Sequence, residues 1–270
     1  MSARRAGRLA VVVALALVWV FPLYWMLVTA LSPRGDVLAG RVGLLPDGID
    51  TGGFVRALTD FPVLLWLQNS AAIAVVAVVL TVAVDVSAGY VLAKHRFPGR
   101  AVVFLLVVST LMIPVQVLLV PQFDLVARLG WLNSYWAVII PRAAEAFGVF
   151  LARQYFLSLP DELLEAAQLD GAGQLRTLWS VVLPLSRPLV AVLVVMTFMY
   201  RWNEFAWPLV ALRDPALYTL PVGLSFLQGQ FTTDYPALMA AALVSAAPVL
   251  VLFAVAQRQF VAGIARSGLK

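Results

Sequence analysis

Residues 160–188 read PDELLEAAQLDGAGQLRTLWSVVLPLSRP, a polar, charged stretch between long apolar runs. Its local pattern is that of two short helices joined at a glycine. Ser158 is placed to cap, and Pro160 falls in a first turn where a missing N–H costs nothing. Asp161 and Glu162 then favour the positive helix end. A first helix is expected through Leu163, Ala166, Ala167 and Asp170, its small alanines on a face that another surface can approach closely. Gly171 stands where a helix ends and positive φ is tolerated. A second short helix over 172–182 leads to Pro184, Pro188 and the next apolar run. The expected product is a helix–glycine–helix elbow lying along a membrane surface. An ordinary interfacial elbow fits the same pattern.

Composition supplies the membrane. Of the 270 residues, 62% are hydrophobic and 12% charged, with a mean hydropathy of +0.93. Soluble domains carry about 25% charged residues. So few charges cannot cover a water-facing surface, and the bilayer must be the solvent. Cysteine is absent, which excludes disulfides, thiolate metal sites and cysteine nucleophiles. A pI of 9.9 would point to nucleic acid in a soluble protein. Here the basic residues flank apolar runs, the pattern of topology signals, and no nucleic-acid partner is expected.

Six membrane spans are expected, at roughly 9–31, 70–93, 101–120, 136–151, 188–212 and 237–255, giving an all-α polytopic protein. Most reach the roughly 20 residues that cross about 30 Å of hydrocarbon; the fourth is short. The first span follows Arg4, Arg5 and Arg8 and has the flank of a cleaved leader. Its apolar run of about 23 residues exceeds the usual leader core of about 7–15, so an uncleaved span is expected. Arg4, Arg5 and Arg8, then Lys94, Arg96 and Arg100, then Arg153, Arg176 and Arg187, and finally Arg258, Arg266 and Lys270 fall on one side. Arg34, Arg41, Arg56, Arg128 and Arg213 fall on the other. This bias makes both termini cytoplasmic. The loops at 32–69, 121–135 and 213–236 are then extracytoplasmic, and the first and last are large enough to meet an external partner. Plain solvated connections are the alternative.

Some chemistry is missing. The only lysines, Lys94 and Lys270, do not follow a glycine, so no loop of the G-x-x-x-x-G-K-[ST] kind exists to cradle phosphates. The single histidine, His95, lies at a membrane edge and reads as an interfacial residue more readily than as a base. One histidine and no cysteine leave no donor set for zinc or for the common nucleophilic triads. An intramembrane aspartyl enzyme would need two facing carboxylates; Asp85 has no evident partner, although Glu145 or Glu204 could approach it.

The elbow's spacing is more specific than its local pattern. Glu165-Ala166-Ala167, three residues, Gly171, nine residues, and Val181-x-Leu183-Pro184 resemble the EAA signature of membrane subunits of bacterial ATP-binding-cassette importers. Val181 stands where isoleucine is usual. Other stretches resemble the sugar-type branch, the maltose-permease-like second membrane subunit. They are Asn69-Ser70, Gly89-Tyr90-x-Leu92-Ala93-Lys94-x-Arg96-Phe97-Pro98-Gly99-Arg100, Pro114 with Pro121, Trp202-Asn203-Glu204-Phe205-x-Trp207-Pro208-Leu209 and Gln257-Arg258-Gln259-Phe260-Val261-x-Gly263. The resemblance covers nearly the whole chain, least in the first outer loop.

This resemblance implies a type I importer permease fold in the bacterial inner membrane, a single permease domain over 1–270, and no cofactor. The elbow at 158–184 would hold a coupling helix seated in a cleft of an ATPase subunit, with Glu165, Ala166, Ala167, Asp170 and Gly171 at the docking surface. The C-terminal tail would also approach the ATPases, and the loop at 213–236 would reach toward a substrate-binding protein. The implied partners are a second permease subunit, two copies of an ATP-binding-cassette ATPase, that binding protein and a sugar.

Asp85, Arg142, Glu145, Arg201 and Glu204 fall inside expected spans, where a charge costs about 2.5–3.5 kcal/mol at a helix centre. Arg142 with Glu145, and Arg201 with Glu204, are spaced to self-neutralise on one helix. Substrate contact or gating is the sharper reading, with Asp85, Trp202, Asn203 and Glu204 as translocation-path candidates. Trp202 and Asn203 together suit sugar rings, although tryptophan also marks interfaces. Asp85 has no charged neighbour one turn away, so a charged partner would lie across a helix interface. The leading expectation is a carbohydrate importer permease without enzymatic activity of its own. A polyol or glycerol-phosphate-type solute, an ion-driven secondary transporter and a membrane enzyme are the alternatives.

Overall fold

A computed structural model describes residues 3–46, 48–228 and 233–267, and among them there is no strand. In chain order the helices are α1 (Ala3–Ala30), α2 (Arg34–Leu38), α3 (Gly52–Thr59), α4 (Val63–Lys94), α5 (Arg100–Ser109), α6 (Leu119–Arg128), α7 (Tyr135–Ile139) and α8 (Ala146–Leu157). There follow α9 (Glu162–Leu169), α10 (Gln174–Thr177), α11 (Leu183–Leu185), α12 (Arg187–Asn203), α13 (Ala206–Ala211), α14 (Leu220–Phe226) and α15 (Tyr235–Ser267). A π turn over Leu178–Val182 joins α10 to α11.

Three helices are long and apolar enough to cross a membrane alone: Gly7–Ala30 within α1, all of α4, and Tyr235–Val255 within α15. Three bent pairs raise the number to six if each counts as one span. The spans expected at 9–31 and 237–255 match helices closely. The second span begins at Val63 rather than near Ser70, because Val63-Leu64-Leu65-Trp66-Leu67 continues the apolar run through Asn69.

The remaining spans are broken, which apolar run length alone did not reveal. The third bends by 96° between Arg100–Met112 and Val115–Arg128. Pro114 lies in this break and Ile113 before it is extended, at φ −88° and ψ 116°, as steric conflict with a following proline ring dictates. The fourth bends by 44° between Tyr135–Arg142 and Ala146–Leu157. The fifth ends as a helix at Asn203 and resumes as α13, because Glu204 is extended at φ −68° and ψ 124°. On its other side, Gln174–Leu185 meets α12 at 86°.

The chain divides into two compact units. In the first, residues 1–68 and 219–250, Asp234 organises the start of α15. Its Oδ1 accepts from the Ala237 N–H at 3.1 Å and its carbonyl from the Leu238 N–H at 2.9 Å. Arg56 Nε of α3 donates to its Oδ2 at 2.7 Å, and Arg34 stands 3.8 Å away. α1 is only 6% buried across its apolar window, and Trp19 is 81% exposed, as befits a helix solvated by lipid. In the second unit, residues 69–218 and 251–270, α4 is the central element. Its Val78, Val82, Val86 and Tyr90 pack with Ala152 and Phe156 of α8, Leu164 of α9, and Leu189 and Leu193 of α12. A second cluster gathers Ile73, Val126, Val138, Trp207 and Leu212. The tail motif at 258–263 is helical, and its side chains lie outside the described residues.

Burial pushes the Asp234 carboxyl up, but the Arg56 hydrogen bond and the α15 N–H outweigh it and hold the group below its ordinary value. The capped, paired form therefore stabilises the fold fully above about pH 3.9 and less as pH falls through the lower folded value. Asp234→Ala is expected to cost about 1 kcal/mol or more. Hydrogen exchange at the first amides of α15 should rise in this variant, with a lower thermal midpoint in detergent at neutral pH.

Candidate functional site

Two features of the second unit stand out: the elbow, and the charged groups at the helix breaks. In the elbow, α9 runs from Glu162 to Leu169 and closes at Gly171. Gly171 has φ +78°, and its N–H donates to the Gln168 carbonyl while that of Ala172 donates to the Ala167 carbonyl at 2.9 Å. This satisfies carbonyls that a helix end otherwise orphans. The start differs from expectation. The Ser158 hydroxyl donates back to the Tyr155 carbonyl at 2.7 Å, so it finishes α8 instead of capping α9. The N-cap is Asp161, whose side chain makes no cap bond because Lys94 holds it. The second arm is a composite of α10, the π turn and α11, since Pro184 interrupts a regular ladder.

Glu165, Ala166, Asp170 and Gly171 are exposed, as a docking surface requires. Ala167 is buried: it lies one turn beyond Leu164, which anchors α9 in the core, so both occupy the inward face. Leu169 is 89% exposed and Leu175 is 75% exposed on either side of Gly171.

The second feature is a set of side chains at the breaks of the fourth and fifth spans. On α4, Thr81 and Asp85 are four residues apart on one face, and both are essentially inaccessible. Asp85 Oδ1 accepts from the Glu145 N–H at 2.9 Å, the first amide of the segment that opens α8. Thr81 Oγ1 donates to the Arg142 carbonyl at 3.3 Å, where the preceding helix ends, and Arg201 Nη2 donates to the same carbonyl. Both broken ends are thus capped by side chains from neighbouring helices, with a carboxylate at the N-terminal end and a guanidinium at the C-terminal end, as the helix dipole favours. Gly148 faces Asp85 so closely that a Cβ there would fall on its Oδ2.

The expected pairs form, but loosely, and the same residues also cross-pair. Arg142 Nη1 donates to Glu204 Oε1 at 2.8 Å, while Arg142 and Glu145 are 3.9 Å apart. Arg201 stands 3.8 Å from Glu145 and 3.6 Å from Glu204. Arg142 and Glu145 do not share a helix, because residues 143–145 separate two segments, and this frees Arg142 to reach the fifth span. Arg142 also lies over the Tyr200 ring, 4.5 Å from its centroid. The hydrogen-bond partner of Asp85 does lie across a helix interface, and it is the Glu145 backbone N–H.

Gln116, Gln122, Arg142, Tyr200, Asn203 and Glu204 line a cavity of about 380 Å³. Asp85, Glu145, Gly148, Thr197 and Tyr200 help to line a smaller one of about 230 Å³. The four path candidates therefore separate: Asn203 and Glu204 face the larger cavity and Asp85 the smaller. Trp202 lines neither; it is 2% exposed and stacks on Phe198 at 5.3 Å. Trp207 takes the cavity position instead and donates its indole N–H to the Ala137 carbonyl at 2.9 Å. Thr81 and Gly148 were missed from sequence. The available signal was a polar pair one turn apart inside an otherwise apolar helix.

Residues 85–266 match the family described as "Binding-protein-dependent transport system inner membrane component". The chain belongs to this family. Among its relatives is the "Arabinooligosaccharides transport system permease protein AraQ" of Halalkalibacterium halodurans, 35% identical over 95% of this chain and 93% of that protein. The "sn-glycerol-3-phosphate transport system permease protein UgpE" of Pectobacterium atrosepticum is 36% identical over 92% of this chain and 91% of its own length. A solved bacterial ABC transporter involved in import of the acidic polysaccharide alginate contains a chain of the same fold. Its TM-score is 0.85 at 28% identity, over 95% of this chain and 97% of that one. The protein is thus an all-α inner-membrane transport component, in a family that works with binding proteins, a second permease and separate ATPases.

If Asp85 acts by capping, Asp85→Asn, which keeps an acceptor oxygen, should retain near-normal thermal stability in detergent. Asp85→Leu should lose about 1–3 kcal/mol by leaving the Glu145 N–H unsatisfied, and Gly148→Ala should behave like it. Glu204→Leu leaves two guanidinium groups to share Glu145 and should cost about 3–5 kcal/mol, with a much lower yield of folded protein.

Proposed function

We propose that this chain is one transmembrane half of an ATP-driven, binding-protein-dependent carbohydrate importer. The observation that carries the proposal is the elbow. A surface of Glu165, Ala166, Asp170 and Gly171, flanked by the bare side chains of Leu169 and Leu175, lies outside the apolar spans and carries the spacing of a coupling helix. The chain has no phosphate-binding loop, so its energy comes from an ATPase seated on this surface. The elbow spans 158–184, and both termini lie with it on the cytoplasmic side. The stretches at 32–69, 121–135 and 213–236 face outward, where the binding protein delivers solute.

In this reading the breaks of the third, fourth and fifth spans line this chain's share of the pathway. Asn203 and Glu204 face the solute, Asp85 holds the break behind them, and Trp202 supports Glu204 from the packed side. Gln116, Gln122 and Asn203 offer amides and the half-exposed Tyr200 offers a ring, a combination suited to hydroxyl-rich solutes. The arabinooligosaccharide relative supports an oligosaccharide as cargo. The glycerol-phosphate relative is equally similar and makes a small phosphorylated polyol the second reading.

Gentle extraction of the tagged chain from its own membrane, followed by mass spectrometry, tests the assignment. An ATPase with a phosphate-binding loop and a second permease are expected to co-purify. Glu165→Lys and Gly171→Pro should lose the ATPase and keep the second permease, because the first reverses a surface charge and the second forbids the positive φ. Recovery of the chain alone at every detergent strength, with uptake that collapses with an ion gradient, would instead establish a secondary transporter.

A further inference from the structure

The connection between α8 and α9, residues 158–161, contains no regular helix, and it links a membrane segment to the docking elbow. Left free, it would be a hinge that absorbs any movement of the elbow. It is not free. Lys94, the last residue of α4, donates from Nζ to the Leu159 carbonyl at 2.6 Å and to Asp161 Oδ1 at 2.5 Å. Its side chain is only 8% exposed, whereas Asp161 is 73% exposed, so the lysine has been drawn out of water to reach this connection. A lysine is rarely so buried without partners. The Lys94 hydrogen bond also holds the Asp161 carboxyl below its ordinary range.

The same two helices are tied elsewhere. Two residues inside the end of α4, the Leu92 carbonyl accepts from Arg153 Nε of α8 at 3.2 Å. Nine residues before Lys94, about 13 Å along the helix at 1.5 Å per residue, Asp85 caps the start of α8. α4 and α8 are therefore clamped at both ends. One clamp lies at the Arg142–Glu145 break beside the charged cavity, and the other crosses the hinge at the elbow.

We infer that Lys94 is a positioning residue for energy coupling: by bridging residues 158–161 to α4, it makes the elbow, α8 and α4 one lever. Movement imposed on the elbow then arrives at the broken fourth span instead of being lost in the connection. The inference rests on the docking reading of the elbow. It differs from that reading in predicting that the ATPase remains bound when Lys94 is changed.

The chain lacks cysteine, so a single introduced thiol reports cleanly. In the complete complex with its binding protein, Asn203→Cys would be labelled with a charged methanethiosulfonate, with and without ATP plus vanadate. With Lys94 present, the labelling rate should change about fivefold or more on nucleotide trapping, the usual scale of coupling between sites. With Lys94→Met added, the ATPase should co-purify and trap vanadate normally while the change in labelling disappears. Lys94→Arg, which keeps a cationic donor, should restore it. A full labelling response in Lys94→Met overturns the proposal, and so does failure of Lys94→Arg to restore it. Loss of the ATPase, of trapping, or of the chain itself from the membrane in Lys94→Met would make Lys94 a docking or stability residue and also overturn it. Failure of the docking reading is distinguishable, because the ATPase would then be missing with Lys94 intact.

Discussion

A helix cannot be interrupted inside a bilayer unless the backbone groups it frees find other partners, because no water is present to take them. This constraint organises the second unit. The fourth span frees a carbonyl at Arg142 and an amide at Glu145, and both are met by side chains fixed on other helices: Thr81 and Arg201 for the first, Asp85 for the second. α4 must therefore present two polar groups on one face at one height, and α12 must bring a guanidinium to the same place. The apolar packing of Val78, Val82 and Val86 against α8 and α12 sets that register. Gly148 supplies the remaining requirement, since any side chain there would displace the carboxylate.

The charges follow from the same geometry. Two guanidiniums and two carboxylates meet where the fourth and fifth spans break, with Arg142 bonded to Glu204 and Arg201 placed between Glu145 and Glu204. Arg201 and Glu204, at 1% and 6% exposed, are too buried to stand alone, and the cross-pairing joins two breaks that sequence separates by about sixty residues. A self-contained pair on one helix would stabilise that helix and nothing else. A cross-paired cluster makes the position of each break depend on the other, which is useful where a lining must move as a unit.

What could be read from sequence divides along the same line. The α1, α4 and α15 spans are set by run length and composition, local quantities, and they were legible. Gly171 was legible because a positive φ after a short helix leaves few residues to choose from. The breaks were not, because Glu145 and Glu204 carry no intrinsic signal for the extended backbone they adopt; tertiary partners hold them there. Pairing Arg142 with Glu145 assumed a continuous helix; the two meet at 3.9 Å without sharing one, and the closer 2.8 Å bond from Arg142 to Glu204 was not legible. Trp202 and Trp207 could not be told apart by composition; both are 2% exposed, but of the two it is Trp207, beyond the break at Glu204, that borders the larger cavity.

The elbow obeys the opposite logic. At the Arg142–Glu145 break the freed backbone groups are answered within the chain, yet on the elbow apolar groups are left unanswered: Leu169, Leu175 and Trp179, at 89%, 75% and 62% exposed, stand on a segment rich in charge. Lipid accounts for bare leucines on α1, but α9 lies between Asp161 and Asp170, in a setting where such a patch marks a surface made for another protein. Leu164 and Ala167 turn inward and hold α9 to the core, so its outward face is fixed rather than free to fold over. A transporter working alone would have no use for a rigid, apolar, outward-facing helix. The proposed energy transfer through contact would need such a helix, and Lys94 and Leu164 hold it to the rest of the unit.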